Sequence, residues 1–347
     1  MLSVLSILYS AGLQSYLFLY RIKLKRSVRL SCPVICVGNI TTGGTGKTPT
    51  VEALCRLLQY HGKRPAIILR GYGGENEYGC AVVSDGDSIF LTAAQSGDEA
   101  QLLAKSLPGI PIIVGKDRIR SGRLAIERFS PDLIIMDDGF QHWRLHRDCD
   151  IVLLNAERPF DNGWTLPRGM LREPKRNLRR ADIVLLTGSE QAGTQRTLES
   201  ALAIAVLAPE VAIFKANLEA DRLESMSGEL YYEIIWLKDK RILAMSAIGN
   251  PDSFERLLTS NGANLVSTSR YKDHEAIDEQ EFSRLCEIAV SEHADAIITT
   301  VKDAVKLPFI KTKIPILILV VEMRIQRESA FLQQTLSRIE TDHAIST

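Results

Sequence analysis

The chain has 347 residues, 45% of them hydrophobic, enough for two domains with separate cores. Lys plus Arg and Asp plus Glu stand at 42 each, so there is no global electrostatic case for a nucleic-acid partner, whose binders carry a basic excess. Six cysteines (Cys32, Cys36, Cys55, Cys80, Cys149, Cys286) are scattered over long intervals, the pattern of reduced thiols rather than of a disulfide framework.

The first twenty residues carry no charged side chain, and Arg21, Lys23, Lys25, Arg26 and Arg29 follow at once. Twenty helical residues reach about 30 Å, the thickness of a bilayer's hydrocarbon core. Ser3, Ser6, Ser10 and Gln14 nevertheless recur at helical spacing as a narrow polar stripe, continued by Arg21 and Lys25. That pattern favours a helix lying in the membrane interface with its basic flank beside anionic headgroups, with a spanning helix and a buried core helix as the alternatives. No basic region precedes the apolar stretch and no small-residue site follows it, so a cleaved signal is not expected.

The apolar run Pro33 to Gly38 leads into Thr41-Thr42-Gly43-Gly44-Thr45-Gly46-Lys47-Thr48, and Val51 to Gln59 has a helical apolar pattern. A strand, a glycine loop and a helix in this order make a polyphosphate cradle. Glycines let backbone N–H groups approach anionic oxygens, Lys47 adds positive charge, and the Thr48 hydroxyl can ligate Mg²⁺. The usual first glycine of the motif is replaced here by Thr41.

Short apolar strands then alternate with helical stretches: 65–69, 111–114, 133–136, 151–154 and 183–186. Near-continuous apolar strands are buried on both faces, which predicts an α/β fold with a mostly parallel sheet sandwich of the P-loop NTPase type. Val211 to Leu223 reads as a β connection, after which strands and helices resume from Arg241 to Val321 as a second, smaller α/β domain. The expected organisation is a membrane-associated helix and flank over 1–30, a nucleotide-binding domain over 31–210, a linker over 211–223 and the smaller domain over 224–347.

Leu133-Ile134-Ile135-Met136-Asp137-Asp138 is an apolar strand ending in two carboxylates, the form that places an acid at the sheet edge beside a phosphate loop to hold Mg²⁺. By spacing alone, Asp98 and Glu99 are equally first-turn acids of an ordinary helix, and His274 among polar residues is equally a surface histidine.

Taken together, the ordered blocks resemble the tetraacyldisaccharide 4′-kinase family of lipid A biosynthesis along most of the chain. They are Val37-Gly38-Asn39-Ile40-Thr41 into Gly43 to Pro49; Arg70-Gly71-Tyr72-Gly73-Gly74; Gly97-Asp98-Glu99; Asp137 to His142; Leu166-Pro167 through Leu171-Arg172-Glu173-Pro174; Ile248-Gly249-Asn250-Pro251; Asp273-His274; and Lys302-Asp303-Ala304. Arg168 and Met170 stand where smaller residues are usual, and no acid precedes Lys302 in Thr300-Val301-Lys302. The resemblance implies transfer of the ATP γ-phosphate to the 4′-hydroxyl of a tetraacylated glucosamine disaccharide 1-phosphate, at the cytoplasmic face of a bacterial inner membrane. It further implies Asp98 as catalytic base supported by His274, Asp137 and Asp138 serving Mg²⁺ and catalysis, and Arg70, Glu99, His142, Arg172 and Glu173 facing the lipid substrate. A membrane-targeted regulatory ATPase of the MinD and ParA kind shares the glycine loop, but those proteins carry a Lys where this chain has Thr42 and attach through a C-terminal helix.

Overall fold

The computed structural model describes every residue except 273, 274, 276, 309, 311 and 345–347, and backbone alone at 341–344. The chain divides into two compact units, residues 1–217 with 323–347, and residues 218–322.

The first unit opens with α1 (Leu2–Arg21) and continues through β1 (Val34–Asn39), α2 (Lys47–Tyr60), β2 (Pro65–Leu69), β3 (Ala81–Ser84), α3 (Ala93–Ser96) and α4 (Asp98–Ser106). There follow β4 (Ile112–Val114), α5 (Arg118–Phe129), β5 (Leu133–Asp137), β6 (Cys149–Asn155), β7 (Ile183–Thr187), α6 (Ser189–Leu207) and the start of β8 (Ala212–Ser225). Its strands run in the order β8-β7-β6-β1-β5-β2-β4-β3, all parallel except the β3 edge. Strands β1, β2, β5 and β7 are buried at every position, because helices cover both faces. Register pairs Val37 with Asp137, so the carboxyl ends of β1 and β5, and with them the glycine loop and the acidic pair, meet at one sheet edge.

The second unit holds β9 (Tyr231–Glu233), β10 (Arg241–Ser246), α7 (Pro251–Ser260), β11 (Asn264–Arg270), α8 (Glu279–Ser291), β12 (Ala296–Thr300), α9 (Val301–Ala304) and most of β13 (Ile316–Ile325). Its parallel strands run β11-β10-β12-β13. Alternation along β10 divides two cores: Ile242 and Ala244 join Phe254 and Leu258 of α7, while Leu243 and Met245 join Phe282 and Leu285 of α8. The Ile248 to Pro251 and Lys302 to Ala304 blocks meet here for structural reasons. Asn250 caps α7, and the buried Asp303 carboxylate accepts from Ala247 N (3.0 Å) and the Thr300 hydroxyl (2.8 Å).

The boundary expected at 224 therefore needs correction at the C-terminal side. The last helix, α10 (Glu328–Ala344), belongs to the first unit. Phe331 packs edge-on against Phe214 with centroids 5.5 Å apart, and Arg338 reaches Asp182 at 3.6 Å. Burying Phe331, Leu332 and Ile339 accounts for the return of the chain.

The polar stripe of α1 also points differently from expectation. Ser6 donates to the Thr165 carbonyl (2.8 Å), Ser10 shares a hydrogen bond with the Thr165 hydroxyl (2.7 Å), and Gln14 donates to Asn177 Oδ1 (3.2 Å). The stripe faces the protein, where those hydroxyls find partners, and the outward face exposes Leu2, Val4, Leu5, Ile7, Leu8 and Phe18. The helix is long and apolar enough to cross a membrane, yet its inner face is seated along residues 165–177.

Candidate functional site

The glycine loop leaves β1 at Asn39 and enters α2 at Lys47. Gly43 (φ +103°) and Gly46 (φ +84°) hold conformations that L side chains rarely adopt, and a Cβ at Gly43 or Gly44 would face open space. The loop thus presents bare backbone to a vacant volume, which is what a phosphate chain requires. Asn39 donates to the Thr45 hydroxyl at 3.0 Å and fixes the loop's inner side. Thr41 and Thr42 are tied to the Leu166 to Pro174 block: Thr41 bridges Leu171, Thr42 N donates to Met170 O (2.7 Å), and Arg172 N donates to Ile40 O (2.7 Å). The missing first glycine is thereby explained, since position 41 is a buried rung of a short ladder.

Asp138 sits at φ +49° with both carboxylate oxygens near the Arg172 guanidinium (2.9 and 3.0 Å) and Oδ1 3.8 Å from Lys47 Nζ. Asp137 is buried, and its Oδ1 has no hydrogen-bond partner among the described residues. Burial, then the nearby charges of Glu99 and Asp138, push its carboxyl up to about 7, against the pull of Lys47 and Arg118. An orphaned, desolvated carboxylate oxygen within reach of a phosphate loop fits a divalent cation, as does the Thr48 hydroxyl at the head of α2.

Asp98 opens α4, directly after Gly97, whose φ of +84° excludes most side chains. A Cβ on Gly74 would lie 2.6 Å from Gly97 N, and one on Gly97 would lie 2.7 Å from Tyr72 O. The Arg70 to Gly74 loop and the Gly97-Asp98-Glu99 turn therefore pack backbone on backbone, and only glycine permits that approach. Arg70 donates to the buried Glu77 at 2.6 Å and stacks over Tyr72.

One expected substrate-facing residue is placed otherwise. Glu173 is 0% exposed, its carboxylate accepting from Gln141 (2.9 Å), Asn177 (2.9 Å) and Arg180 (2.7 Å), so every oxygen is committed inside the protein. A buried acid with three donors braces the loop and has no face for a sugar hydroxyl. His142 is held by burial and by the charges of Arg118, Arg147 and Arg144 down at about 4, so it offers a neutral ring with an unpartnered Nε2 rather than a cation. His274 lies outside the described residues.

Sequence reasoning missed Arg118, which follows Asp117, the N-cap of α5. Its guanidinium is buried and donates to the Gly115 carbonyl, with Nε unpartnered among the described residues. Burial, with Arg70 adding to it against the pull of Asp137, lowers it to about 10. Lys47, Arg70, Arg118, Glu99, Asp137 and Asp138 thus share one electrostatic neighbourhood at the sheet's carboxyl edge, suited to holding a charged donor and a charged acceptor.

The profile of the family described as Tetraacyldisaccharide-1-P 4'-kinase matches residues 1–340. The chain is similar to Tetraacyldisaccharide 4'-kinase of Syntrophus aciditrophicus (strain SB), 44% identical over 340 residues, covering 95% of this chain and 90% of that protein. It is 42% identical to the protein of the same name from Geobacter metallireducens over 310 residues, 88% of each chain. Among solved structures, LpxK from Aquifex aeolicus in complex with ATP superposes with a TM-score of 0.76 at 30% identity, over 96% of this chain and 97% of that one. With the glycine loop, the acidic strand end and the Asp98 turn all in place, the chain belongs to the tetraacyldisaccharide-1-P 4'-kinase family.

Proposed function

We propose that this chain transfers the γ-phosphate of ATP to the 4′-hydroxyl of a tetraacylated glucosamine disaccharide 1-phosphate, giving the bisphosphorylated lipid. The observation that carries the reading is the meeting of the phosphate loop with Asp137 and Asp138 at one sheet edge. The N–H groups of residues 43–48 cradle the β- and γ-phosphates while Lys47 neutralises them. Asp137 and the Thr48 hydroxyl would hold Mg²⁺, which when bound would offset charge developing on the transferred phosphoryl group. Asp138, near Lys47 and bonded to Arg172, orients Lys47 toward the reacting phosphate and Arg172 toward the acceptor. Asp98 takes the proton of the acceptor hydroxyl, with His274 as its supporting group. Arg70 and Arg172 hold the substrate's 1-phosphate, with Glu99 and His142 beside the sugar.

The acceptor is a lipid, which gives the outward apolar face of α1 a purpose. That face enters one leaflet at the cytoplasmic side while the inner face stays on the protein, so attachment is peripheral or monotopic rather than spanning. The whole-length family match leaves no support for the regulatory-ATPase reading.

The test is Asp98→Ala with labelled ATP, Mg²⁺ and the lipid disaccharide in detergent. Label should enter the lipid at a rate lowered about 100-fold or more, with ATP affinity near wild type. Equal loss of both would remove Asp98 from the acceptor side; acceptor-independent phosphate release by wild type would count against the kinase reading itself.

A further inference from the structure

A groove of about 520 Å³ runs along α1, walled by Ile7, Ala11, Trp164, Pro174 and Leu207 and floored by the Ser6–Thr165 contact. It lies on the other flank of α1 from the catalytic machinery. Tyr9, which donates to the Arg172 carbonyl at 2.8 Å, is two residues from both Ile7 and Ala11; at about 100° per residue that places it roughly on the opposite side of the helix. The only charged side chains lining the groove are Lys175 and Arg176, both exposed and neither with an ion-pair partner among the described residues. Arg168 adds a third cation at the rim, stacked 3.7 Å over Trp164. Beyond Leu207, α6 exposes Leu198, Leu202 and Val206 at four-residue spacing, an apolar stripe that leads away from the groove.

An apolar slot open to apolar surface, with unneutralised cations and an interfacial tryptophan at its mouth, matches one ligand chemistry: a phosphate ester carrying acyl chains. We propose that the groove binds an anionic glycerophospholipid, its phosphate between Lys175 and Arg176 and an acyl chain along Ile7, Ala11 and Leu207, at a site separate from that of the phosphorylated substrate. The proposal rests on the reading of the outer face of α1 as membrane-facing.

The kinase's own substrate also carries phosphate and acyl chains, so the test must separate the two. The full chain in detergent micelles is titrated with phosphatidylglycerol or phosphatidylcholine and examined by native mass spectrometry. Wild type should retain one phosphatidylglycerol and bind phosphatidylcholine about tenfold more weakly. Each cation is expected to supply about fivefold, so Lys175→Ala/Arg176→Ala should weaken phosphatidylglycerol roughly thirtyfold while its ATP affinity and thermal midpoint stay unchanged. Equal retention of the two lipids, undiminished binding by the variant, or stoichiometric displacement by the lipid disaccharide would each overturn the proposal. Loss of vesicle flotation with the lipid adduct retained would refute the membrane reading of α1 and leave the groove standing.

Discussion

Asp137→Asn should stabilise the nucleotide-free protein at alkaline pH and disable it as a kinase. In the folded chain the Asp137 carboxyl is raised from 3.8 to about 7, because burial and the charges of Glu99 and Asp138 oppose its ionisation. A raised acid binds its proton more tightly in the folded state, so its stabilising contribution is complete below about pH 4 and is lost as pH rises through about 7. Three units of displacement correspond to a penalty on the order of 4 kcal/mol once the group is ionised. Asparagine has no proton to lose and escapes it. Urea denaturation with a chelator present should show the variant more stable than wild type by up to about 4 kcal/mol at about pH 8, with the gain mostly gone at about pH 4, near the carboxyl's unfolded value. Calorimetry of Mg²⁺–ATP should in parallel show weaker binding and, for wild type alone, proton release near neutral pH. A gain equal at both pH values, or no gain at either, would refute the assignment of a raised carboxyl at Asp137.

Two further substitutions probe the surroundings. Glu173→Gln leaves Arg180, wedged between Phe140 (3.9 Å) and Trp143 (3.7 Å), without its counter-charge, and should cost about 3 kcal/mol in chemical denaturation; an unchanged midpoint would show that the carboxylate is dispensable to the loop. Thr165→Val removes the hydroxyl shared with Ser6 and Ser10 while leaving Ser6's bond to the carbonyl, at a cost of about 1–3 kcal/mol, and hydrogen exchange should quicken through residues 2–14 while protection of α2 is retained.

Much of the framework around the candidate site was legible because it is encoded in contiguous residues. The glycine loop, the apolar strand ending in Asp137-Asp138 and the first-turn acids of α4 each announce themselves within a dozen positions. Glu173 misled for the opposite reason: in sequence it is a charged residue among other charged residues of a functional block, and only the approach of Gln141, Asn177 and Arg180 reveals that it is buried. The orientation of α1 was ambiguous because a serine stripe satisfies water and a protein groove equally well, and Thr165 is more than 150 positions away. The return of α10 and the burial of Arg118 depend likewise on contacts between distant segments, which periodicity does not report.

The seating of α1 makes it a keyed part rather than a generic anchor. Its inner face is read by Thr165, Asn177 and the Arg172 carbonyl, and the same segment is laddered to Ile40, Thr41 and Thr42 at the mouth of the phosphate loop. A foreign apolar helix grafted in its place would still present an apolar outer face, yet it would leave those partners unmet and the loop's first residues less firmly held. The outer face can drift among apolar residues without disturbing those contacts, whereas the inner face is tied to the segment that holds the loop.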